Sequence, residues 1–225
     1  MKKSNTPDEK VFPAPRTKAD EETLEEMFRT LHEICEVRYE GLENITDMPC
    51  IFAPNHSSHL DTAIVYKAVY MKRGKEHLEK MCCLAAEELA EEPAMKKIFK
   101  AIGAIPIDRK GNPIPALRAL NKCVKEQGYS ALVFPEGTRT RTGEMGEFLM
   151  GTASAAIRAQ VPVIPVGIVG TYQIWPYNCK TPRVSEKRRV VTVSFGKPIY
   201  PFEKRAAEMI DSVRNAVKEL CEVAR

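Results

Sequence analysis

Short apolar runs alternate with longer stretches of helical periodicity along most of this 225-residue chain, and this pattern restricts the fold more than any other feature. Alternating strands and helices are typical of layered α/β domains, in which helices cover a central sheet. The length suits one core, so we predict a single-domain α/β fold with a central, largely parallel or mixed sheet flanked by helices. The predicted strands are Val37–Tyr39, Ile51–Ala53, Met81–Leu84, Ala104–Ile107, Ser130–Phe134, Val163–Val169 and Val190–Phe195.

Helices are predicted between these strands and near both ends of the chain. The first begins near Asp20 and carries an apolar stripe opposite an acidic face, and the last runs from about Glu203 to Val223 with a similar stripe. We favour packing of both stripes against the core, with membrane-surface binding by the first helix as the alternative. The other predicted helices are Asp61–Met71, Pro93–Ala101, Pro113–Glu126 and Gly151–Ala159.

The domain is predicted to begin after a short N-terminal segment. Residues 1–19 are expected to be a flexible leader, because Pro7, Pro13 and Pro15 occur there among charged residues without any periodicity. Residues 20–225 form the single predicted domain.

The charge of the chain limits its partners. The formal net charge is +4, and basic residues form small clusters such as Lys72–Lys75. Such clusters suit an anionic substrate or an anionic membrane surface. No nucleic acid is expected as a partner, because the imbalance is small and no recognition motif accompanies it.

The seven cysteines show no paired CxxC spacing and follow no secretory signal, so we expect small buried thiols in a reducing cytosol. The longest uncharged stretch, Ala159–Cys179, has about the length that spans a bilayer. Pro162, Pro165 and Pro176 interrupt it, and we therefore predict that it is not a transmembrane helix.

The stretch Asn55–Asp61 places an imidazole and a carboxylate five residues apart where an apolar strand ends. An imidazole with an ordinary pKa of about 6.5 is suited to take a proton from an attacking alcohol. We predict that His56 is a catalytic general base and that Asp61 fixes its tautomer and stabilises the imidazolium. His59 is expected to be a loop or helix-start residue.

Two further strand ends carry candidate substrate-binding residues. Arg109 and Arg139 should emerge from loops where guanidinium groups can bind a phosphate in bidentate fashion. Gly137 permits an unusual backbone angle, and Thr138 adds a hydroxyl donor. Glu136 either orients Arg139 or hydrogen-bonds an acceptor hydroxyl, and the sequence leaves both roles open. Weaker candidates of the same kind are Lys110 and Arg141.

Four blocks resemble, in order and spacing, the motifs of the 1-acylglycerol-3-phosphate acyltransferase family. Any one block alone is weak evidence, whereas four in order are specific. The resemblance spans roughly residues 35 to 175, and it implies that the first block carries the base and the second and third carry the glycerophosphate contacts. The blocks are Asn55–Asp61, Gly103–Arg109, Phe134–Arg139 and Val163–Val166.

The resemblance implies acyl transfer in phospholipid biosynthesis. A fatty acyl group would pass from acyl-CoA or acyl carrier protein to the free hydroxyl of 1-acylglycerol 3-phosphate, giving phosphatidate. We expect no cofactor, no metal and no covalent acyl-enzyme, because the base acts directly on the lysophospholipid acceptor. A lipid acceptor also predicts peripheral association with the cytoplasmic face of the membrane.

The chain departs from the family pattern at two points. The family usually has a basic residue after the phenylalanine of Phe148–Gly151, where this chain continues Leu-Met-Gly, and many relatives are preceded by a membrane-spanning segment or an apolar helical pair. The acceptor could therefore be another lysophospholipid or glycerol 3-phosphate. Alternatives of another class are a metal-dependent phosphoesterase using His56, His59 and Asp61, and a non-catalytic lipid-binding module.

Overall fold

A seven-stranded mixed sheet forms the centre of the protein in the computed structural model, which describes residues 13–47 and 49–224. The strand order is β1-β7-β6-β2-β5-β3-β4, and all neighbours are parallel except the antiparallel pair β6 and β7. The predicted α/β sheet flanked by helices is confirmed. The strands are β1 (Cys35–Glu40), β2 (Ile51–Pro54), β3 (Met81–Ala86), β4 (Ala104–Ile107), β5 (Ser130–Leu132), β6 (Val163–Val169) and β7 (Arg189–Phe195).

Seven α-helices connect and cover the strands within the described residues, together with two short 3-10 helices, Leu42–Asn44 and Glu87–Glu91. Each strand predicted from the sequence is present, although β1 begins earlier than predicted and β5 ends earlier. The helices are α1 (Lys18–Ile34), α2 (Leu60–Glu79), α3 (Pro93–Ala101), α4 (Ile114–Gln127), α5 (Gly151–Ala159), α6 (Thr171–Ile174) and α7 (Ala206–Val223).

Helix α2 continues past Met71, where the sequence prediction placed its end. Gly74 interrupts it with φ 77° and ψ −174°, a backbone conformation that glycine adopts without steric cost. The chain then resumes helical geometry, because Leu78 in the following turn is buried against the core. The predicted end at Met71 thus lies close to the kink at Gly74, whereas the helical segment after the kink was not predicted.

Helices bury both faces of the sheet. In β2, Phe52 faces the core beneath α1 and α2, whereas its neighbours Ile51 and Ala53 face the core beneath α4, α5 and α7. This alternation follows from the two-residue period of a strand. The apolar stripes of α1 and α7 are buried in these two cores, so the predicted packing of both helices is confirmed.

The first described residues are tied to the ends of other elements. Residues 1–12 of the predicted leader, which spans residues 1–19, lie outside the described residues. Arg16 donates hydrogen bonds to the carbonyl oxygens of Leu78, Glu79, Met81 and Ala101, at 2.6 to 2.8 Å. Its guanidinium thus binds C-terminal carbonyl groups of α2 and α3, which helices leave without intrahelical partners.

Across the described part of the chain, no helix combines the length and apolar content needed to cross a bilayer. The stretch Ala159–Cys179 instead holds the end of α5, strand β6 and the short α6. The seven cysteines, all within the described residues, form no disulfide, and five of them are buried. Burial raises the pKa of the Cys83 thiol to about 12, so this side chain packs as a small apolar group.

Candidate active site

The predicted site residues lie on three loops at one edge of the sheet. Residues 55–59 follow β2, residues 108–113 follow β4 and residues 133–150 follow β5. These three strands run in the same direction, so their carboxyl ends meet at one edge, where ligands bind in open α/β sheets. The fold therefore brings motifs that are far apart in the sequence to the same side of the molecule.

His56 and Asp61 are in direct contact. The imidazole Nδ1 lies 2.9 Å from Asp61 Oδ2, and the carboxylate is fully buried while the imidazole is 17% exposed. Asp61 Oδ2 also accepts hydrogen bonds from the backbone N–H groups of Ser57 (2.7 Å) and Ser58 (2.8 Å). A carboxylate held by these donors in the first turn of α2 fixes the ring that it faces.

The loop after β5 holds His56 from two other directions. The ring of Phe134 stacks on the imidazole with centroids 3.7 Å apart and planes 20° from parallel. The carbonyl oxygen of His56 accepts a hydrogen bond from the Thr140 N–H at 2.8 Å. The imidazole is therefore confined between an aromatic face and a buried carboxylate before any substrate binds.

Glu136 forms its hydrogen bonds with backbone N–H groups, and none is formed with Arg139 among the described residues. Oε1 accepts a hydrogen bond from the His56 N–H at 2.7 Å, and Oε2 accepts one from the Gly146 N–H at 2.9 Å. Burial raises the pKa of this carboxyl group. The side chain thus joins the β2 loop to both ends of the β5 loop, a position that the sequence could not indicate.

Arg139 is partly buried, and this burial lowers the pKa of its guanidinium. Its Nη1 is buried and has no hydrogen-bond partner among residues 13–47 and 49–224. The guanidinium carbon lies 4.9 Å from the ring centroid of Tyr177, and that of Arg141 lies 5.1 Å from the same ring. Two guanidinium groups therefore contact one aromatic ring at this edge of the sheet.

Arg109 differs from Arg139 because its guanidinium is occupied. Nη2 lies 2.7 Å from Glu88 Oε1, and Nη1 donates to the Gly137 carbonyl oxygen at 3.3 Å. Both side chains of this ion pair are partly exposed, and such pairs contribute about 0 to 1 kcal/mol, so a bound phosphate can compete for the arginine. Its positive charge also lowers the pKa of Arg139.

Gly137 and Thr138 are both exposed at the surface of the β5 loop. Gly137 has φ 69°, in the left-handed region, as its motif position led us to expect. A Cβ at this position would lie 3.1 Å from Leu149 Cδ1, so the loop also approaches the start of α5 closely here.

His59 packs away from the pair that His56 forms with Asp61. Its ring meets the edge of Trp175, with centroids 5.2 Å apart. Burial lowers the pKa of His59 to about 4, and the positive charge of Arg139 acts in the same direction. Within residues 13–47 and 49–224, no group of three His, Cys, Asp or Glu side chains is arranged to hold a metal ion.

Sequence reasoning missed the aromatic residues of the site. Phe134 opens the third block, but nothing in the sequence indicates that its ring stacks on His56. Trp175 and Tyr177 follow the last block, in a loop without any recognisable motif. Only the folded chain brings these aromatic rings beside His56, His59 and Arg139.

The chain belongs to the acyltransferase family, whose family model matches residues 36–169. The 1-acyl-sn-glycerol-3-phosphate acyltransferase of Pseudomonas aeruginosa is 34% identical over 146 residues, covering 62% of this chain and 52% of that protein. The chloroplastic enzyme BAT2 of the same name from Brassica napus is 29% identical over 184 residues, covering 80% of this chain and 49% of that protein. The resemblance seen in the four blocks is thereby confirmed.

A solved structure supports the same assignment. The crystal structure of the 1-acyl-sn-glycerophosphate acyltransferase from Thermotoga maritima superimposes with a TM-score of 0.70 and 25% sequence identity. The match covers 92% of this chain and 82% of that one. The chain spans about half the length of the curated relatives that match it first.

Proposed function

We propose that this protein transfers a fatty acyl group from an acyl thioester to the free hydroxyl of 1-acylglycerol 3-phosphate, giving phosphatidate. The contact between His56 Nδ1 and Asp61 Oδ2 carries the proposal, because it leaves Nε2 as the ring nitrogen that receives the hydroxyl proton. Family membership and the names of the relatives support the same reaction.

The proposed reaction needs two proton movements through one imidazole. The acceptor oxygen attacks the thioester carbonyl carbon while its proton moves to Nε2 of His56, and Asp61 stabilises the imidazolium. The tetrahedral intermediate then collapses, the C–S bond breaks, and the leaving sulfur takes the proton from Nε2. Atoms and charges balance without a cofactor or a covalent acyl-enzyme, and the donor is acyl-CoA or acyl carrier protein.

Arg139 is our first candidate for binding the acceptor phosphate. Its Nη1 lacks a hydrogen-bond partner among the described residues, and a phosphate oxygen would supply one. Arg109 is the second candidate, because its guanidinium can release Glu88 and bind the phosphate instead. Thr138 and the Gly137 backbone lie on the exposed loop between these arginines and complete the proposed phosphate site.

We also propose that the protein works at the cytoplasmic face of a membrane without spanning it. A lysophospholipid acceptor keeps its acyl tail in a bilayer, so the enzyme has to reach the bilayer surface. Basic clusters on the exposed surface support attraction to anionic lipid.

A panel of acceptors and donors tests the proposed function. Purified protein would be assayed for thiol release with glycerol 3-phosphate, 1-acylglycerol 3-phosphate and other lysophospholipids, each with acyl-CoA and with acyl carrier protein. We expect the highest kcat/KM with 1-acylglycerol 3-phosphate and loss of turnover in His56→Ala. Full turnover in folded His56→Ala would refute the assignment of the base, and preference for another acceptor would refute the assignment of the substrate.

The phosphate site has its own test. Arg139→Ala should raise KM for 1-acylglycerol 3-phosphate by about tenfold or more, because charged hydrogen bonds contribute about 1.5 to 3 kcal/mol each, while KM for the donor stays unchanged. Arg109→Ala should have a smaller effect, since its guanidinium must first leave Glu88. An unchanged acceptor KM in Arg139→Ala would remove this residue from the phosphate site.

A further inference from the structure

Three exposed apolar side chains lie beside the candidate active site. Ile114 is 52% exposed, Leu149 is 60% exposed and Met150 is 57% exposed. We call these three residues the rim patch. Apolar side chains of this size are usually buried, and a group of them at the surface marks a site of contact with another apolar phase.

Contacts in the loop after β5 place the rim patch at the edge of the site. The Leu149 N–H donates to the Pro135 carbonyl oxygen at 2.9 Å, and Pro135 directly precedes Glu136, which binds the His56 backbone. Leu149 Cδ1 would also lie 3.1 Å from a Cβ at Gly137, whose carbonyl oxygen accepts the bond from Arg109. Leu149 thus lies next to Gly137, which itself contacts the proposed phosphate-binding residue Arg109.

The helix starts bring the remaining two members to the same edge. Met150 precedes α5 and Ile114 begins α4, and both helices start at the carboxyl edge of the sheet because they return the chain to the opposite edge. The two helices pack together near these starts, since a Cβ at Gly151 would lie 3.6 Å from Leu117 Cδ2. Leu117 is three residues after Ile114 and therefore on the same helix face.

Charges of both signs surround the rim patch, since Arg109 pairs with Glu88 and the exposed Glu147, two residues before Leu149, pairs with Arg214. Arg109 and Lys110 are exposed on the neighbouring loop, and Arg118 is exposed on α4, four residues after Ile114 and on the same side of the helix. The nearby carboxylate of Asp108 accepts hydrogen bonds from the backbone N–H groups of Lys110 and Gly111. The exposed cations Lys110 and Arg118 lie at this border, where they can meet the head groups of a bilayer that contains anionic lipid.

We propose that the rim patch is the surface by which this protein docks on a lipid bilayer, with Leu149 and Met150 entering the boundary between head groups and acyl chains. This inference rests on the proposed function, because it explains how a lipid acceptor reaches His56 by a short path from the membrane.

A second exposed apolar pair provides a matched control. Phe202 is 66% exposed and stacks on Tyr200, with ring centroids 5.7 Å apart. Ile199, just before this pair, bridges to Val163 at the first residue of β6. The pair therefore lies at the amino edge of the parallel strands, opposite to the candidate active site, and its loss should not affect docking at the rim patch.

Flotation with vesicles of phosphatidylcholine and phosphatidylglycerol tests the proposal. The full chain would be compared with Leu149→Gln/Met150→Gln and with Phe202→Gln, substitutions that remove apolar surface without changing charge. We expect the double variant to bind vesicles at least about tenfold more weakly than the parent protein, because each lost apolar side chain removes its transfer free energy. Phe202→Gln should bind like the parent protein. Unchanged melting temperatures would show that all three proteins are folded.

Activity assays separate docking from direct substrate binding. The double variant should lose turnover on acceptor embedded in vesicles but keep kcat/KM within about twofold on a short-chain acceptor that is monomeric in solution. Equal flotation of parent and double variant, or loss of flotation only in Phe202→Gln, would overturn the proposal. So would equal loss of activity on the monomeric acceptor, which would place the pair in the substrate site. If the parent protein acylates no acceptor, the proposed function fails, and the flotation result still decides the docking surface.

Discussion

Glu136 binds the backbone of His56: its Oε1 accepts the His56 N–H at 2.7 Å, while Oε2 accepts the Gly146 N–H at 2.9 Å. One buried carboxylate therefore fixes the loop after β2 against the loop after β5. The imidazole is held by Asp61 at Nδ1 and by Phe134 on its face, so its position depends on both loops. Preorganisation of this kind keeps a catalytic group in place before substrate arrives.

Glu136→Gln should lower kcat by about tenfold to a hundredfold with little change in either KM. An amide offers only one oxygen, so its NH2 group would face the backbone N–H of either His56 or Gly146 and leave that donor buried without a partner. Steady-state kinetics would measure the effect. The matched control is Glu147→Gln on the same loop, where the exposed carboxylate pairs with Arg214, and an equal loss in both variants would contradict the positioning role.

Asp61→Asn should lower kcat by about two to four orders of magnitude while the protein stays folded. One carboxylate oxygen, Oδ2, contacts His56 Nδ1 and the N–H groups of Ser57 and Ser58, and an asparagine oxygen in its place can keep these three contacts. The amide carries no negative charge, so it would no longer stabilise the imidazolium that forms during turnover. Turnover and thermal unfolding of the same preparation would be measured. Retained turnover would show that the negative charge of Asp61 does not stabilise the imidazolium.

Tyr177→Leu should raise KM for the phosphorylated acceptor by about fivefold to thirtyfold. Its ring contacts the guanidinium groups of Arg139 and Arg141, and each cation–π contact contributes about 0.5 to 1 kcal/mol. Tyr177→Phe keeps the aromatic face and should preserve the parent KM. Equal KM values in the two variants would show that the ring does not position the arginines.

The stability of the protein should depend on His59 between pH 6.5 and about 4. Burial lowers the pKa of His59 to about 4 in the folded state, so the unfolded chain binds this proton more tightly. The free energy of unfolding should therefore fall as the pH falls from 6.5 through 4. Denaturant unfolding across this pH range measures the effect. The free energy of unfolding should fall less steeply for His59→Phe, which keeps an aromatic contact with Trp175. Parallel plots of this free energy against pH for the two proteins would contradict the role of His59.

Arg16→Ala should lower the free energy of unfolding by about 2 to 4 kcal/mol, because carbonyl groups at the ends of α2 and α3 lose a charged donor. Arg16→Lys should recover only part of this loss, since an ammonium cannot reproduce the planar fork. Arg118→Ala, at an exposed position on α4, should stay within about 0.5 kcal/mol of the parent protein. Equal stability of Arg16→Ala and Arg118→Ala would contradict the structural role of Arg16.

From the sequence alone we predicted the fold class, the seven strands of the described residues and the contact between His56 and Asp61. These features follow from local physics: apolar periodicity sets each strand or helix, and a spacing of five residues across one helix start lets two side chains meet. The predicted end of α2 at Met71 lies close to the kink at Gly74. The helical segment after the kink was missed, because its buried residue Leu78 is held by tertiary packing.

Packing between distant segments sets the strand order, the reversed direction of β1 and β7, and the partners of the charged side chains in the site. Ile51 pairs with Val163 and with Ala131, contacts between segments whose separation in the chain leaves no periodic signal. The same holds for Glu136 on the His56 backbone, Glu88 on Arg109 and Tyr177 on Arg139. A motif determines which side chains lie in the loop after a strand. The partners of these side chains depend on which loops the packed sheet places next to each other.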